Sequence, residues 1–581
     1  MQKSFFFSKP ALGIQGLMVY SRLTVLSPLS GTDTCYSVYL LCGVAGSLCL
    51  CDNGFHSGTL PRKQNVTLAI FAALFSGAVA LANYPLFSPL TVLQNCFDLA
   101  CTLLGGWVVG YHILLWMLRR LPLVPDAGMR NHPRRVFWGV FLSVSTIDLG
   151  YLFFVLYPGV LTTDSFTTIA QALGQESYNN VMPFWHTLVT EAFVKLGLWL
   201  FGDINAAIAL FHSAQILFIA ACFGYALETL YRIGLPKWAL AVVYVLYALM
   251  PYNIVYSVTL WKDIPFAGSA LLLVTALYRL LKNIGGRKEN LFALTVGAFG
   301  FSLLRTNGWY AFLVMTLLLA VLLWRRQKKL VRILLVILVV TWLMLNPLLS
   351  LLNVGGTDLV EAFGIPMQQI ARVLHNARPL AEEDMAMLNA IFYTDRTAEL
   401  YDPQIVDPVK FYTFRHDQVD YLTEHLWDYV RLYFRIGAQY PTDYWQAWVE
   451  QTKGYWNGGY KYWTYTLQMG ENDFGIVQSP GDNLLARVYN AAFRYWEKPE
   501  ILQCLSSIGL YVWALVACCV TNVLKKRQEF LLTIPILVLI AGLWLGTPVF
   551  AEFRYAYPLI LTLPTILSLT VWSPEKKRGE I

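Results

Sequence analysis

The chain has 581 residues, of which 56% are hydrophobic and only 14% charged. That is about half the charged share of ordinary soluble proteins, which excludes a soluble enzyme, and so apolar a composition also excludes intrinsic disorder. The formal charge of +7 does not by itself point to nucleic acid, because basic residues in a membrane protein serve first as topology signals.

No cleavable signal peptide is evident at the start of the chain. Residues 1–34 form an amino-terminal segment in which 11–29 are a candidate span. Apolar runs long enough to cross about 30 Å of hydrocarbon as helices then occur at about 35–51, 66–82, 97–118 and 136–157. Six more lie at about 204–230, 238–256, 260–281, 290–304, 308–324 and 330–352, and three at about 502–523, 529–546 and 553–571. Residues 185–201 are apolar but contain His186, Glu191 and Lys195, and are expected to form an interfacial or re-entrant helix. The pattern predicts an all-α polytopic membrane protein with about 13 transmembrane helices (11–14) and juxtamembrane helices in one outer loop.

Lys and Arg orient the spans, since cytoplasmic loops hold an excess of them. Alternate loops carry 24, in clusters such as Arg119-Arg120, Arg325-Arg326, Lys525-Lys526-Arg527 and Lys576-Lys577-Arg578; the opposite short loops hold four, Lys195, Lys262, Arg305 and Arg554. The expected topology is a multi-pass cell-membrane protein with a cytoplasmic carboxyl terminus. Residues 35–352 then form a transmembrane module with an outer loop at 158–203, and 502–581 the closing helices and a short tail. The intervening 353–501 is expected to be a mostly helical extracytoplasmic domain. Its residues 353–500 hold 12 Lys and Arg against 20 Asp and Glu, a balance that leaves nucleic-acid binding without support. The ten cysteines lie in or beside predicted spans, so disulfides are not expected to staple the outer domain. No zinc-spaced cysteine motif, Walker A loop or strand-linked GxGxxG is present, and no metal or cofactor is expected.

Unusual polar residues collect on the predicted outer face. The stretch YPGVLTTDSFTTIAQALGQ (157–175) places Asp164 at the start of a short amphipathic helix, TLWKDIPFAG (259–268) places Lys262 and Asp263 at the mouth of a span, and Arg305 (RTNG) and Arg554-Tyr555 (EFRYAYPLI) occupy two short outer turns. These features resemble the GT-C superfamily of integral-membrane glycosyltransferases, in the style of protein mannosyltransferases and the aminoarabinose transferase of lipid A, and point to a bacterial branch of it. The resemblance covers roughly 136–352 and the late Arg554–Pro558 turn; it departs from the superfamily in having Asp164-Ser165 for the usual Asp-Glu pair. It implies Asp164 as the first catalytic acidic residue, the Pro183 to Gly202-Asp203 stretch after it, and Asp263 as the second catalytic acidic residue.

The chemistry of the residues runs in the same direction. Inverting glycosyl transfer needs a carboxylate to take the acceptor proton and cations to stabilise a departing lipid phosphate. Asp164 supplies the first; Lys262, Arg305 and Arg554, three of the four short-loop cations outside, are the expected donor phosphate-binding groups, arginine through its planar fork. His186, Tyr555, Gln368, Arg372 and Trp456 are expected on the substrate side, Trp456 because rings beside polar groups suit a sugar face. Plainer alternatives stand beside these roles: an N-cap for Asp164, an ion pair for Lys262-Asp263, interfacial anchoring for His186 and the arginines, and an aromatic membrane belt for the tryptophans at 440–465.

The expected activity is transfer of a sugar from a polyprenyl-phosphate donor to an envelope glycan, lipid or protein, with membrane lipids as the other partners and no nucleic acid. A transporter or flippase of lipid-linked sugars is the alternative. That would place polar or broken helices at the midplane, whereas the polar residues here gather at one face. A structural assembly protein, the third class, predicts that substitution of Asp164 is harmless.

Overall fold

A computed structural model describes residues 60–87, 91–122, 130–356, 359–458, 460, 464–497 and 504–572. The predicted amino-terminal segment and its first span at 35–51 lie outside these residues. The described chain is mostly helical. It begins with α1 (Arg62–Phe87), α2 (Val92–Arg120), α3 (Pro133–Phe154) and the strand β1 (Leu156–Tyr157). The short α4 (Thr163–Ala172), α5 (Phe184–Phe201) and the long α6 (Ile204–Arg232) follow. After α7 (Lys237–Ala248) and α8 (Pro251–Ser257) come α9 (Asp263–Lys282), α10 (Arg287–Leu303), α11 (Thr306–Leu323) and α12 (Lys328–Leu345).

Among the described residues, seven helical stretches are long and apolar enough to cross a membrane, and α7–α8, bent by 48° at their break, make an eighth if taken as one span. The expectation of a multi-pass α-helical protein therefore holds at the level of class, while the count of 13 does not follow from helix length. Several predicted apolar runs end as shorter helices. The run at 290–304 is the 17-residue α10, about 26 Å at 1.5 Å per residue, and two late runs give helices of 17 and 13 residues.

The bundle is centred on α9, whose apolar stretch is 83% buried. It packs on α6, on α10 and on the last described helix. The α9–α10 crossing is close because α10 offers glycines there: a Cβ at Gly297 would lie 2.6 Å from the Leu273 nitrogen, and one at Gly300 would lie 2.0 Å from Ser269 Oγ. Small residues of this kind let membrane helices approach without a side chain between them. The predicted Lys/Arg loops meet at one end of the bundle. Arg134 lies 3.4 Å from Glu289, Lys282 lies 2.9 Å from Glu529, and Arg527 donates to the Thr570 carbonyl at 2.6 Å.

Beyond α12 the chain forms α13 (Pro347–Leu351), then α14 (Gly364–His375), α15 (Glu382–Ile391), α16 (Thr394–Glu399), α17 (Asp407–Tyr412) and α18 (Val419–Glu424). The amphipathic α19 (Leu426–Gln439) and α20 (Pro441–Thr452) complete this group. Met367, Ile370, Val373 and Leu374 of α14, the helix predicted from their spacing, share a separate hydrophobic core with Leu388, Val409, Leu432 and Tyr444. The segment after residue 460 leaves that core. Its strand β2 (Ser479–Pro480) pairs antiparallel with β1, Leu156 opposite Pro480, and α21 (Leu484–Glu497) sets Ala486 and Phe493 against Tyr151 and Leu152 of α3. The expected unit 353–501 is thus one helical core and one strap laid back on the bundle. The chain closes with α22 (Ile508–Leu524), α23 (Ile534–Gly546) and α24 (Tyr557–Trp572). The helix at 184–201 is not among the helices long and apolar enough to cross a membrane, and its apolar residues Leu188, Trp199 and Phe201 are exposed.

Candidate functional site

The site is assembled where the turn after β1 meets the segment before α9, at the end of the bundle away from the Lys/Arg clusters. Gly159 takes φ 122°, and a Cβ there would lie 2.4 Å from the ring of His212, so only glycine fits. His212 itself is 2.7 Å from the Pro158 carbonyl through Nδ1 and shapes the turn. The two segments are then stitched together: Val160 N–H donates to the Val258 carbonyl (2.8 Å) and Leu260 N–H to the Val160 carbonyl (3.1 Å). Side chains complete the seam, with Trp261 Nε1 donating to Thr162 Oγ1 (2.7 Å) and Ser165 Oγ donating to the Leu260 carbonyl (2.8 Å).

This geometry settles how α4 is capped. Thr162 is the N-cap residue, and its N–H donates to Ser165 Oγ at 2.9 Å; Asp164 is not the cap. Its carboxylate stands in the first helical turn, where the helix dipole favours negative charge, and is free to face the residues across the seam.

Those residues are the predicted cations. Arg554 Nη1 donates to Asp164 Oδ2 at 3.0 Å, and Lys262 Nζ lies 3.7 Å from the same oxygen. Arg554 Nε is 3.3 Å from Glu552. Arg305 Nη1 approaches Asp263 Oδ1 to 2.5 Å, without the alignment of a hydrogen bond. Tyr555 presents its ring to both guanidinium groups, 4.7 Å from that of Arg305 and 5.2 Å from that of Arg554, and Trp261 lies 5.0 Å from the latter. Aromatic faces hold a guanidinium in place without neutralising it. Asp164, Lys262, Asp263, Arg305, Arg554 and Tyr555 are therefore brought together. Asp263 is fully buried and faces Arg305, so its place is that of a partner to the arginine, unlike the partly exposed Asp164.

Electrostatics divide the carboxylates further. Burial acts to raise the Asp164 carboxyl, but Lys262 and Arg554 outweigh it and hold the group below the usual carboxylate range, ionised. Burial pushes Glu552 up to about 7, Arg554 opposing and Asp263 and Asp164 adding to the rise. Burial also lowers the Lys262 ammonium, against the pull of Asp164 and Asp263. With Glu552 protonated the cluster carries three cations against two carboxylates, an excess that favours an anion.

Several buried polar atoms on the helices that carry or flank this cluster have no hydrogen-bond partner. His186 is buried with both ring nitrogens unpaired; burial, then the Lys262 charge, takes its imidazole down to about 3, so it is neutral. Gln171, two helical turns after Asp164 on the same face of α4, is buried with both amide atoms unpaired. Among the described residues no group of three or more His, Cys, Asp or Glu is placed to hold a metal ion.

Three expected substrate residues are not brought here. Gln368 donates to the Asp402 carbonyl, Arg372 to Tyr401 (3.1 Å) and Gln446 (2.6 Å), and Trp456 to Thr452 Oγ1 (3.0 Å) while packing in a core with Val449 and Ala551. Those contacts tie the outer helices to one another. Sequence reasoning in turn missed Trp261, Gln171 and the charge role of Glu552; the adjacency of Trp261 to Lys262-Asp263 and of Glu552 to Arg554 was the available signal.

A family model described as "Family of unknown function (DUF6020)" matches residues 175–580, and the chain belongs to this family. The match includes Lys262, Asp263, Arg305, Glu552 and Arg554 and begins after Asp164. No curated protein and no solved structure matches the chain.

Proposed function

We propose that this DUF6020 member is a membrane glycosyltransferase of GT-C type, which moves a sugar from a polyprenyl phosphate to a hydroxyl of an envelope glycan, lipid or protein on the outer face. The observation that carries this reading is the meeting of one ionised, partly exposed carboxylate with Lys262 and Arg554, beside Arg305, the two arginines held by aromatic rings. Asp164 takes the proton of the acceptor hydroxyl, whose oxygen attacks the anomeric carbon. The bond from that carbon to the phosphate oxygen breaks, and the electron pair leaves with the lipid phosphate. Lys262, Arg305 and Arg554 stabilise the charge that develops there. Asp263 is a positioning residue for Arg305.

The pairings also suggest an order of events. Without donor, Arg554 and Lys262 are engaged by Asp164, which makes it a poor base. A phosphate competing for both cations frees Asp164 and raises its basicity, so the base is released when the donor is seated. His186 and Gln171 supply unpaired polar atoms for sugar hydroxyls.

The test is a purified, nanodisc-embedded protein given radiolabelled polyprenyl-phosphate sugars and an envelope extract, with Asp164→Asn as the comparison. Label transfer by the wild type and its collapse in the variant are expected; equal transfer by both would remove Asp164 from the chemistry. Orientation is tested separately. A reporter active only in the cytoplasm is expected to work when fused after Lys329 or Lys526 and to fail within 380–480, and activity at 380–480 would place the site in the wrong compartment.

A further inference from the structure

The α19–α20 pair carries aromatic surface that the proposed reaction does not use. α19 turns Tyr429, Leu432 and Ile436 into the core and leaves Trp427, Arg431, Phe434 and Ala438, spaced four, three and four apart, on its outward face. Trp427 is 75% exposed and Phe434 67%, too much apolar surface for a helix meant for water. On α20, Trp445 is 51% exposed and stacks on Trp448 with centroids 5.1 Å apart. Between the helices runs an open groove of about 580 Å³ lined by Gln369, Tyr433, Phe434, Tyr444, Trp445 and Trp448.

Two observations decide what this groove takes. Apart from the Trp445 indole, its polar side chains are spent on the protein: Tyr433 Oη donates to Gln369 Oε1 (2.5 Å), Gln369 Nε2 to the Tyr444 carbonyl (3.1 Å), Tyr444 Oη to the Tyr433 carbonyl (3.0 Å) and Trp448 Nε1 to the Trp544 carbonyl (2.8 Å). A sugar needs rings and free hydrogen-bonding groups together; this surface offers rings. The groove is also continuous with the bundle's apolar flank. Trp448 and Val449 pack with Ala78, Leu81 and Ala82 of α1, Trp544 is near the end of α23, and the adjoining Leu545 is 78% exposed. The groove therefore opens where two apolar helices end, the depth at which Trp and Tyr prefer to lie in a bilayer.

We infer that α19 and α20 rest in the leaflet at this end of the bundle and that their groove seats an acyl chain of a membrane phospholipid. Arg431, beside Phe434 on the outward face and 3.5 Å from the exposed Asp428, then lies at headgroup depth. The inference is independent of the glycosyl-transfer reading.

The test uses the full chain in nanodiscs of phosphatidylethanolamine and phosphatidylglycerol doped with a phosphatidylcholine that carries a diazirine in its acyl chain. After irradiation, mass spectrometry is expected to find adducts within 427–448 as well as on α12, whose exposed Val336 and Val339 serve as an internal reference. The double variant Phe434→Ser, Trp445→Ser alters two exposed side chains and is expected to fold normally. It should lower the adducts at 427–448 roughly fivefold or more, given the apolar area removed, and leave those on α12 unchanged. Labelled α12 with unlabelled 427–448 would overturn the inference, as would labelling there that ignores the substitutions. Protection of this surface by a soluble oligosaccharide but not by lipid would make it a sugar platform instead.

Discussion

The bundle buries arginines near both of its ends, and the two sets are treated differently. At the Lys/Arg-rich end, Arg279 is fully enclosed against the ring of Tyr225, 3.7 Å away. It donates to Thr229 Oγ1 (2.6 Å), the Tyr225 carbonyl (3.0 Å) and Glu228 (3.1 Å), while Arg232 donates twice to the other oxygen of Glu228. At the far end Arg305 also lies over aromatic rings, yet its contact with Asp263 is not aligned as a hydrogen bond, and His186 and Gln171 nearby are unpaired. An unpaired buried polar atom costs about 1–3 kcal/mol. The Arg279 network leaves one such atom, Nη1, 3.9 Å from Glu289 without a hydrogen bond, whereas the far end leaves more of them, both His186 ring nitrogens and both Asp263 oxygens included.

Substitutions can break this contrast. The largest effect is expected for Asp164→Asn, which should lower turnover by roughly 10²- to 10⁴-fold, the usual worth of a positioned base, with the protein still folded because Thr162 and Ser165 do the capping and the amide oxygen can still accept from Arg554. Arg279→Met should do the reverse. Leaving Glu228 short of a partner is expected to cost about 3–5 kcal/mol of stability, read as a lower melting temperature in detergent, while turnover per folded molecule is retained. An Arg279 variant that is stable and inactive would erase the distinction between the two ends.

Arg305→Ala and Arg554→Ala should each cost about 2–4 kcal/mol of transition-state stabilisation, seen in kcat more than in KM because the phosphate charge grows as the bond breaks. Lysine at either position lacks the planar fork and should recover only part. If both alanine variants turn over normally, the arginines are interfacial anchors. The smallest effect concerns pH. Glu552 is neutral below about 7 and ionised above it, so raising pH through 7 removes the positive excess. Affinity for a phosphodiester, whose own charge is constant in this range, should fall several-fold, and Glu552→Gln should flatten the profile. A wild-type profile without a step near 7 would dismiss Glu552 as the titrating group.

The parts of this site that could be read from the sequence were those set by scarcity. Cations are rare in the short turns opposite the Lys/Arg loops, so Lys262, Arg305 and Arg554 stood out, and all three converge on Asp164 or its neighbours. Pairing was not legible, because nothing local links Asp164 to Arg554. Gln368 and Arg372 were expected to meet substrate, since an amphipathic pattern marks a buried face without naming what covers it; here Asp402, Tyr401 and Gln446 do. The strands β1 and β2 have two residues each, too few for a period-two signal. Hydropathy found the apolar runs, but it registers composition and not the residue at which a helix stops, as at Leu303, so run number and helix length are separate quantities.

The hydrogen bond between Asp164 and Arg554 spans 390 residues. Chains are synthesised at about 5–20 residues per second, so the arginine emerges roughly 20 to 80 s after the carboxylate. During that interval α4 has its cap but not its guanidinium, and the charge cluster exists as a half. Completion of the Asp164–Arg554 pair is thereby tied to synthesis of the final described helix, and under the proposed reading a nascent chain has no working centre until nearly all of its bundle is made.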